Sequence, residues 1–449
     1  MRQTYLKNPL SPERRGVIEI ASRCARLWLL SLTLSAPAWS QETNQAIEPA
    51  GAERSLWSTL RDQGLSGSLR LDYYRSSKNL DDQTDFLGGT TQLKMLPTLN
   101  KSLDGKVEAR LTNPDIGGDG ETHSKLLEGY ATAHFDNADL RLGRQIVAWG
   151  RADGINPTDN LTPHDYTVML PFEDDQRFGT TALKLDWYLT AEHTLTFFTT
   201  PFFEPSKFPL PPGMSLRETR PARSLANSEA AVKFNKTGGG LDWSLSYFHG
   251  YSLLPEMHPL PSSPMLELRY PEIDVIGADL ARNFGRYGTR AEIAYIQTED
   301  RHGQDPVAIN PYLYAVLGMD RTFLDNLNVN LQLVGRWVRH YTDPNAIVDP
   351  ALRAAATANA INFGLQKRAN YGMTTRISNK WLNDTLEAEL LAFVNFEHTN
   401  SYLRPLLTYA FTDHAKATLG AEFYRGPDNS PFGQLKRNQG MFADWRLSF

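Results

Sequence analysis

The residues of this chain best suited to act on another molecule are charged, and they fall into two groups. One is a compact stretch in which Arg151, Asp153, Asp159, Asp165, Glu173, Asp174, Asp175 and Arg177 punctuate a sequence rich in turn formers, Asn156-Pro157 and Thr162-Pro163 among them. The other is dispersed: Arg70, Arg110, Arg141, Lys184, Arg290, Arg336, Glu387 and Glu389 stand at alternate positions of apolar/polar patterns. Fixed charges of both signs facing one another across water orient and sort a solute without making or breaking a bond. Bond-making chemistry has few candidates. The ten histidines are scattered, with no His-Glu-x-x-His, no Gly-rich phosphate loop and one cysteine, Cys24. His164-Asp165 and His340 come nearest to a catalytic pairing, and each is expected to be a solvated side chain. No catalytic residue, cofactor or metal site is expected.

What positions such charges begins with export. Arg23 and Arg26 precede the run Leu27-Trp28-Leu29-Leu30-Ser31-Leu32-Thr33-Leu34, and Ala38-Trp39-Ser40 supplies small residues where a signal peptidase cuts. Residues 1–40 are therefore expected to be a signal peptide that takes Cys24 with it. It holds six of the 46 basic and two of the 51 acidic residues, leaving 40 and 49, a balance of −9. That argues against nucleic acid as a partner, which calls for a basic face. A mean hydropathy of −0.42, with no later apolar run near ~18 residues, excludes helical membrane spans.

From residue 65 the dominant signal is alternation with period two. Leu69, Leu71 and Tyr73 alternate with Arg70, Asp72 and Tyr74, and Val329, Leu331 and Leu333 with Asn328, Asn330 and Gln332. The segments are longer than ordinary strands of about five or six residues and match the ~9–11 that cross a bilayer at a tilt. Their spacing predicts eighteen strands, with sixteen as the alternative, and the connections alternate between short and long. Stretches such as 136–137, 189–193 and 412–414 are tight, whereas 151–177, 201–225, 251–272, 340–369 and 426–437 are long. This is the rhythm of periplasmic turns and extracellular loops. The expected architecture is all-β: a periplasmic segment at 41–64, then a single transmembrane antiparallel up-and-down barrel over 65–449. Aromatics near segment ends (Tyr73, Trp149, Trp187, Tyr188, Trp337 and Tyr424) are expected in interface girdles, and Pro405 only near a strand end or bulge. Asp349-Pro350 predicts a capped helix through Asn362, on the rim rather than in the lumen.

The chain ends with Trp445, Leu447 and Phe449 at alternate positions, which resembles the terminal strand of bacterial outer-membrane proteins. The resemblance implies that the barrel-assembly machinery reads these residues. Gly143-Arg144-Gln145 running to Trp149-Gly150, followed by Asn156-Pro157, resembles strands of porin and porin-like barrels of proteobacteria and of alginate-export-type barrels. In general porins the third outer loop folds inward, so the resemblance implies that 151–177 narrows the pore and that its acids oppose basic residues of the far wall. By parity Arg144 falls on the lipid face, which requires a bulge or a place near an interface. The expected function is passive diffusion of small polar solutes or oligosaccharides through a lumen surrounded by outer-membrane lipids. The alternatives are a substrate-specific exporter or importer of a polysaccharide or hydrophobic compound, and a non-channel barrel with a structural or binding role.

Overall fold

The computed structural model describes residues 64–449 apart from 81–82, 119, 169, 209–215, 261–262, 264 and 398. The expected signal peptide, and the segment 41–64 but for its last residue, lie outside the described residues. Eighteen long strands follow: β1 (Ser66–Leu80), β2 (Gln83–Met95), β3 (Leu103–Asn113), β4 (His123–Phe135), β5 (Ala138–Gln145) and β6 (Thr180–Tyr188). Next come β7 (His193–Thr200), β8 (Glu229–Lys236), β9 (Asp242–Tyr251), β10 (Glu272–Phe284), β11 (Tyr287–Thr298) and β12 (Tyr312–Phe323). The last six are β13 (Leu327–Val338), β14 (Ala369–Trp381), β15 (Leu386–Asn395), β16 (Asn400–Thr412), β17 (Ala415–Arg425) and β18 (Gly440–Ser448). Each pairs antiparallel with its neighbour in sequence, and β1 pairs with β18 from Ser68↔Ser448 to Ser76↔Gly440. The sheet is closed, so no strand edge is left unpaired and the backbone polar groups are satisfied within the wall.

Side-chain parity sorts the two solvents. Leu142, Ile276, Leu317 and Leu419 are exposed on the outer wall, whereas Arg70, Glu292, Gln332 and Asp444 are buried on the inner one. The strand count is the expected eighteen. β12 starts only at Tyr312, because Pro311 has no N–H for the ladder and the residues before it belong to a loop. At one end of the barrel the turns are tight, at 136–137, 285–286 and 413–414; at the other, loops such as 146–179, 201–228, 252–271 and 339–368 are long. Three short strands, Leu216–Thr219, Glu256–Pro259 and Leu266–Arg269, tie two of these loops into a small sheet. The helix Pro350–Asn362 starts where Asp349 accepts from the amides of Ala351 and Leu352. It packs on the loops through Asn359, which bonds the backbone of Met257 and Val307.

Several local expectations fail for identifiable reasons. Trp149 is buried inside the barrel rather than in a girdle, because β5 ends at Gln145 and the chain then turns inward. Tyr424 also points inward, where its hydroxyl and that of Tyr402 both donate to Glu422. Pro405 lies well inside β16. The ladder to β17 simply skips Arg404 and Pro405 between Leu403↔Phe423 and Leu406↔Gly420, without a register shift there. Arg144 does sit on the outer face, one residue from the end of β5. Its guanidinium forms a two-pronged pair with Glu204 at 2.9 Å and donates to the carbonyl of Leu126 at 2.9 Å, beside a bulge in β4.

The barrel is sealed at its last residue: Phe449 N donates to Gly67 O and Gly67 N to Phe449 O, both at 3.0 Å. A Cβ on Gly67 would meet the Phe449 ring at 2.6 Å, so that seam is close-fitting. Deleting Phe449 is expected to lower the fraction of protein that runs as a compact, unheated band on electrophoresis; an unchanged fraction would show that neither closure nor assembly needs the residue.

Candidate functional site

The loop between β5 and β6, residues 146–179, lies across the inside of the barrel. Two kinds of interaction hold it there. The first is apolar: Val147, Trp149 and Leu161 of the loop are buried against Ala182, Phe198, Ala231, Phe248, Ile273, Val275, Ala294 and Ile296, which line the inner wall of β6 to β11. A polar lumen thus carries an apolar patch, and the loop removes it from water.

The second is a buried carboxylate. Glu292 of β11 accepts from the amides of Arg151 (3.0 Å), Ala152 (3.3 Å) and Thr158 (2.8 Å) and from the Thr158 hydroxyl (2.8 Å). A loop inside a barrel has no ladder for its N–H groups, and one wall carboxylate satisfies three of them. The fit leaves no room: a Cβ on Gly150, itself at φ +99°, would lie 2.6 Å from the carboxylate. Arg151 Nε meets Asp279 of β10 at 2.5 Å and its Nη2 donates to Asn235 at 2.7 Å. At the tip, Asp153 reaches β13 and β14. Its N–H donates to Gln332 (2.8 Å), its carbonyl accepts from Gln332 Nε2 (2.7 Å), and its carboxylate meets Asn330 (3.0 Å) and Arg376 (3.4 Å).

The returning limb crosses to the other wall. Asp175 pairs with Arg70 of β1 and, at 3.3 Å, with Arg110 of β3. Arg404 of β16 donates to the carbonyl of Pro171, and Phe172 packs edge-on against Phe442 of β18 at 5.9 Å. Asp165 holds Lys125 of β4 at 3.0 Å, and Arg177 clasps Asp159 within the loop at 2.7 Å. The loop is therefore fastened to opposite arcs of the barrel. Glu173 and Asp174 lie in a short helical turn, Glu173–Gln176; their side chains are outside the described residues.

Parity brings some of the expected wall charges to the loop and leaves others on the wall. Arg70 and Arg110 grip it. Glu389 meets Arg404 at 3.4 Å, and Arg336 lies over the Tyr314 ring at 4.0 Å. Arg141 lies over Tyr130, Lys184 pairs with Asp186, Arg290 meets Asp320 at 3.0 Å and Glu387 meets Lys380 at 3.9 Å, all without the loop. Sequence reading missed Asp279, Asp320, Arg376 and Arg404. Asp279 stands among Ile273, Val275 and Gly277 on its face, so its strand is apolar on both sides and shows no clear alternation. Reading parity backwards from the outward Ile276 and Leu280 would have found it.

His164 is half-covered rather than freely solvated as expected. The chain around Ser206 and Lys207 covers it, with His164 N donating to Ser206 Oγ at 2.9 Å and Lys207 N to the His164 carbonyl at 2.8 Å; its ring stacks on Tyr166 at 5.5 Å. Burial, helped by the Arg177 charge, pushes its pKa down to about 4. His340 is exposed, at φ 56°. Two cavities flank the loop tip. One of about 340 Å³ is bordered by Asn156, Asp159, His164, Tyr166, Arg177, Tyr312, Tyr314 and Arg336. The other, of about 160 Å³, lies on the far side of Gly154 and Ile155.

No family model matches this chain, and no curated protein matches it in sequence. Solved structures do. OccD3 (OpdP) of Pseudomonas aeruginosa superposes with a TM-score of 0.53 at 12% identity, covering 86% of this chain and 90% of that one. OccAB1 of Acinetobacter baumannii gives 0.53 at 8% identity, with 86% and 96% covered, and OccAB4 of the same species 0.51 at 9%, with 86% and 98% covered. At such identities the likeness is one of fold, and the fold is the eighteen-stranded barrel of outer-membrane porins.

Removing the latch has a defined cost. Glu292→Ala leaves three loop amides without their acceptor and is expected to destabilise the loop by about 2–5 kcal/mol. Limited proteolysis should then cut between 151 and 177 while the barrel stays folded; equal resistance would show that the apolar patch alone suffices. His164 gives a pH signature. Its affinity for a proton is lower folded than unfolded, so its contribution is full above about 6.5 and is lost as pH falls towards about 4. Between those values thermal stability should fall more steeply in the parent than in His164→Gln, and parallel curves would contradict the assignment.

Proposed function

We propose that this chain is a passive diffusion channel of the bacterial outer membrane, with its long loops outside and tight turns towards the periplasm. It would admit small polar solutes or oligosaccharides through a water-filled lumen narrowed by loop 146–179. The observation that carries the reading is the fastening of that loop to opposite walls, with Arg151, Asp153, Asp159, Asp165, Asp175 and Arg177 all engaged inside the lumen. The cavity beside the tip, about 340 Å³, has room for roughly eleven waters at about 30 Å³ each, a scale that suits a small solute. Acids and bases pair around the loop, which favours selection by size and polarity over selection by sign of charge.

The structures that the chain resembles are porins, which are not enzymes. Lipid would cover the apolar outer wall, and the assembly machinery would read Trp445, Leu447 and Phe449. Proteoliposome swelling tests the reading. Glucose should enter readily, and a trisaccharide at least about tenfold more slowly because the loop limits the passage. Swelling no faster than in protein-free liposomes for every solute would overturn it in favour of a barrel that conducts nothing.

A further inference from the structure

The smaller cavity differs in character from the rest of the lumen. Ile155 of the loop tip, Leu391 and Phe393 of β15, Tyr402 of β16 and Phe432 form its body, and Asp153, Asn330, Thr374 and Arg376 close one end. Phe432 comes from a short helix, Pro431–Gln434, in the loop between β17 and β18. It stands edge-on to Phe393 at 5.2 Å and stacks on Tyr402 at 5.7 Å. Register places Thr374 opposite Phe393 and Arg376 opposite Leu391, and Tyr402 opposite Phe393, so these side chains share the inner face. An apolar hollow beside a wet passage is a place where an apolar group gains by leaving water.

Size and polarity narrow the occupant. A cavity of about 160 Å³ is close to the engineered hollow of about 150 Å³, lined by Leu, Ile and Phe, that takes up benzene. The polar end neutralises itself, since Asp153 Oδ2 takes both Arg376 and Asn330. A charged ligand head would have to break that pairing and leave one partner uncompensated. Thr374 Oγ1 accepts from Gln332 Nε2 at 3.0 Å, which directs its own hydroxyl proton elsewhere. A ligand hydroxyl suits this end chemically, since Thr374 has a proton to give to its oxygen and the Asp153 carboxylate is an acceptor for its proton.

We infer that this cavity is a binding subsite for a single six-membered ring bearing an uncharged hydroxyl, of the phenol or cyclohexanol type. The inference deepens the channel reading and takes from it only that the lumen is open to water. Phenol is the probe, with benzoate at pH 7 as its charged counterpart, titrated calorimetrically into the full-length mature protein in detergent. The same titration is run on Leu391→Trp, which fills the hollow, and on Thr374→Val, which keeps the shape and removes the donor. Phenol should bind the parent at least about tenfold more tightly than benzoate, and Leu391→Trp should weaken phenol by about tenfold or more. Thr374→Val, losing one hydrogen bond, should weaken it about three- to tenfold. Equal phenol heats in the parent and both variants, or benzoate binding as tightly as phenol, would overturn the assignment. Because the readout is binding, a barrel that takes phenol yet conducts nothing sinks the channel reading alone. One that conducts yet ignores phenol sinks this inference alone.

Discussion

The arrangement of this barrel's interior depends on one carboxylate. Glu292 sits on the inner wall of β11 and collects the amides of Arg151, Ala152 and Thr158 together with the Thr158 hydroxyl. Without such an acceptor, a loop drawn into the lumen would leave its N–H groups short of partners, and the outer solvent would be the better place for it. With the latch closed, Trp149 is set against the apolar patch, Asp153 is carried to β13 and β14, and the returning limb is aimed at Arg70 and Arg110. What stays open inside the barrel lies on either side of Gly154 and Ile155.

Burial of Val147, Trp149 and Leu161 works with the latch rather than beside it. Charge-assisted bonds fix where the loop lies, and the hydrophobic term supplies drive without direction. The wall shows the trade plainly. Ile273, Val275 and Ile296 face inward where a fully wetted lumen would place polar residues, and they are stable there because the loop covers them. Further along the same strands, Asp279 and Glu292 face inward too, paired or hydrogen-bonded by that same loop.

These particulars explain how much was legible beforehand. Wherever the inner face is polar, whether towards water or towards the loop's polar groups, period-two alternation survives: Arg70 between Leu69 and Leu71, or Gln332 between Leu331 and Leu333, place the strands well. Where the inner face meets the apolar side of the loop, under Val147, Trp149 and Leu161, both faces are largely apolar and the pattern fades, which hid Asp279. Trp149 was misassigned to a girdle for a related reason, because an aromatic near a strand end reads the same whether the chain continues along the wall or turns inside. Arg376 shares its inward face with Asn370, Thr374 and Ser378, and Arg404 stands between Tyr402 and Leu406 on its own; neither was picked out from its strand. Pairings across the lumen, such as Asp175 with Arg110, depend on which walls the loop reaches, and no local pattern carries that information.

The account stands on the claim that loop 146–179 occupies the lumen and limits it. Single-channel conductance of the intact protein, compared with a variant lacking residues 155–174, addresses this most directly. The account predicts steady current steps in the intact protein and clearly larger ones after deletion. Steps of equal size in the two would contradict it, since a loop inside the passage cannot be removed without widening it.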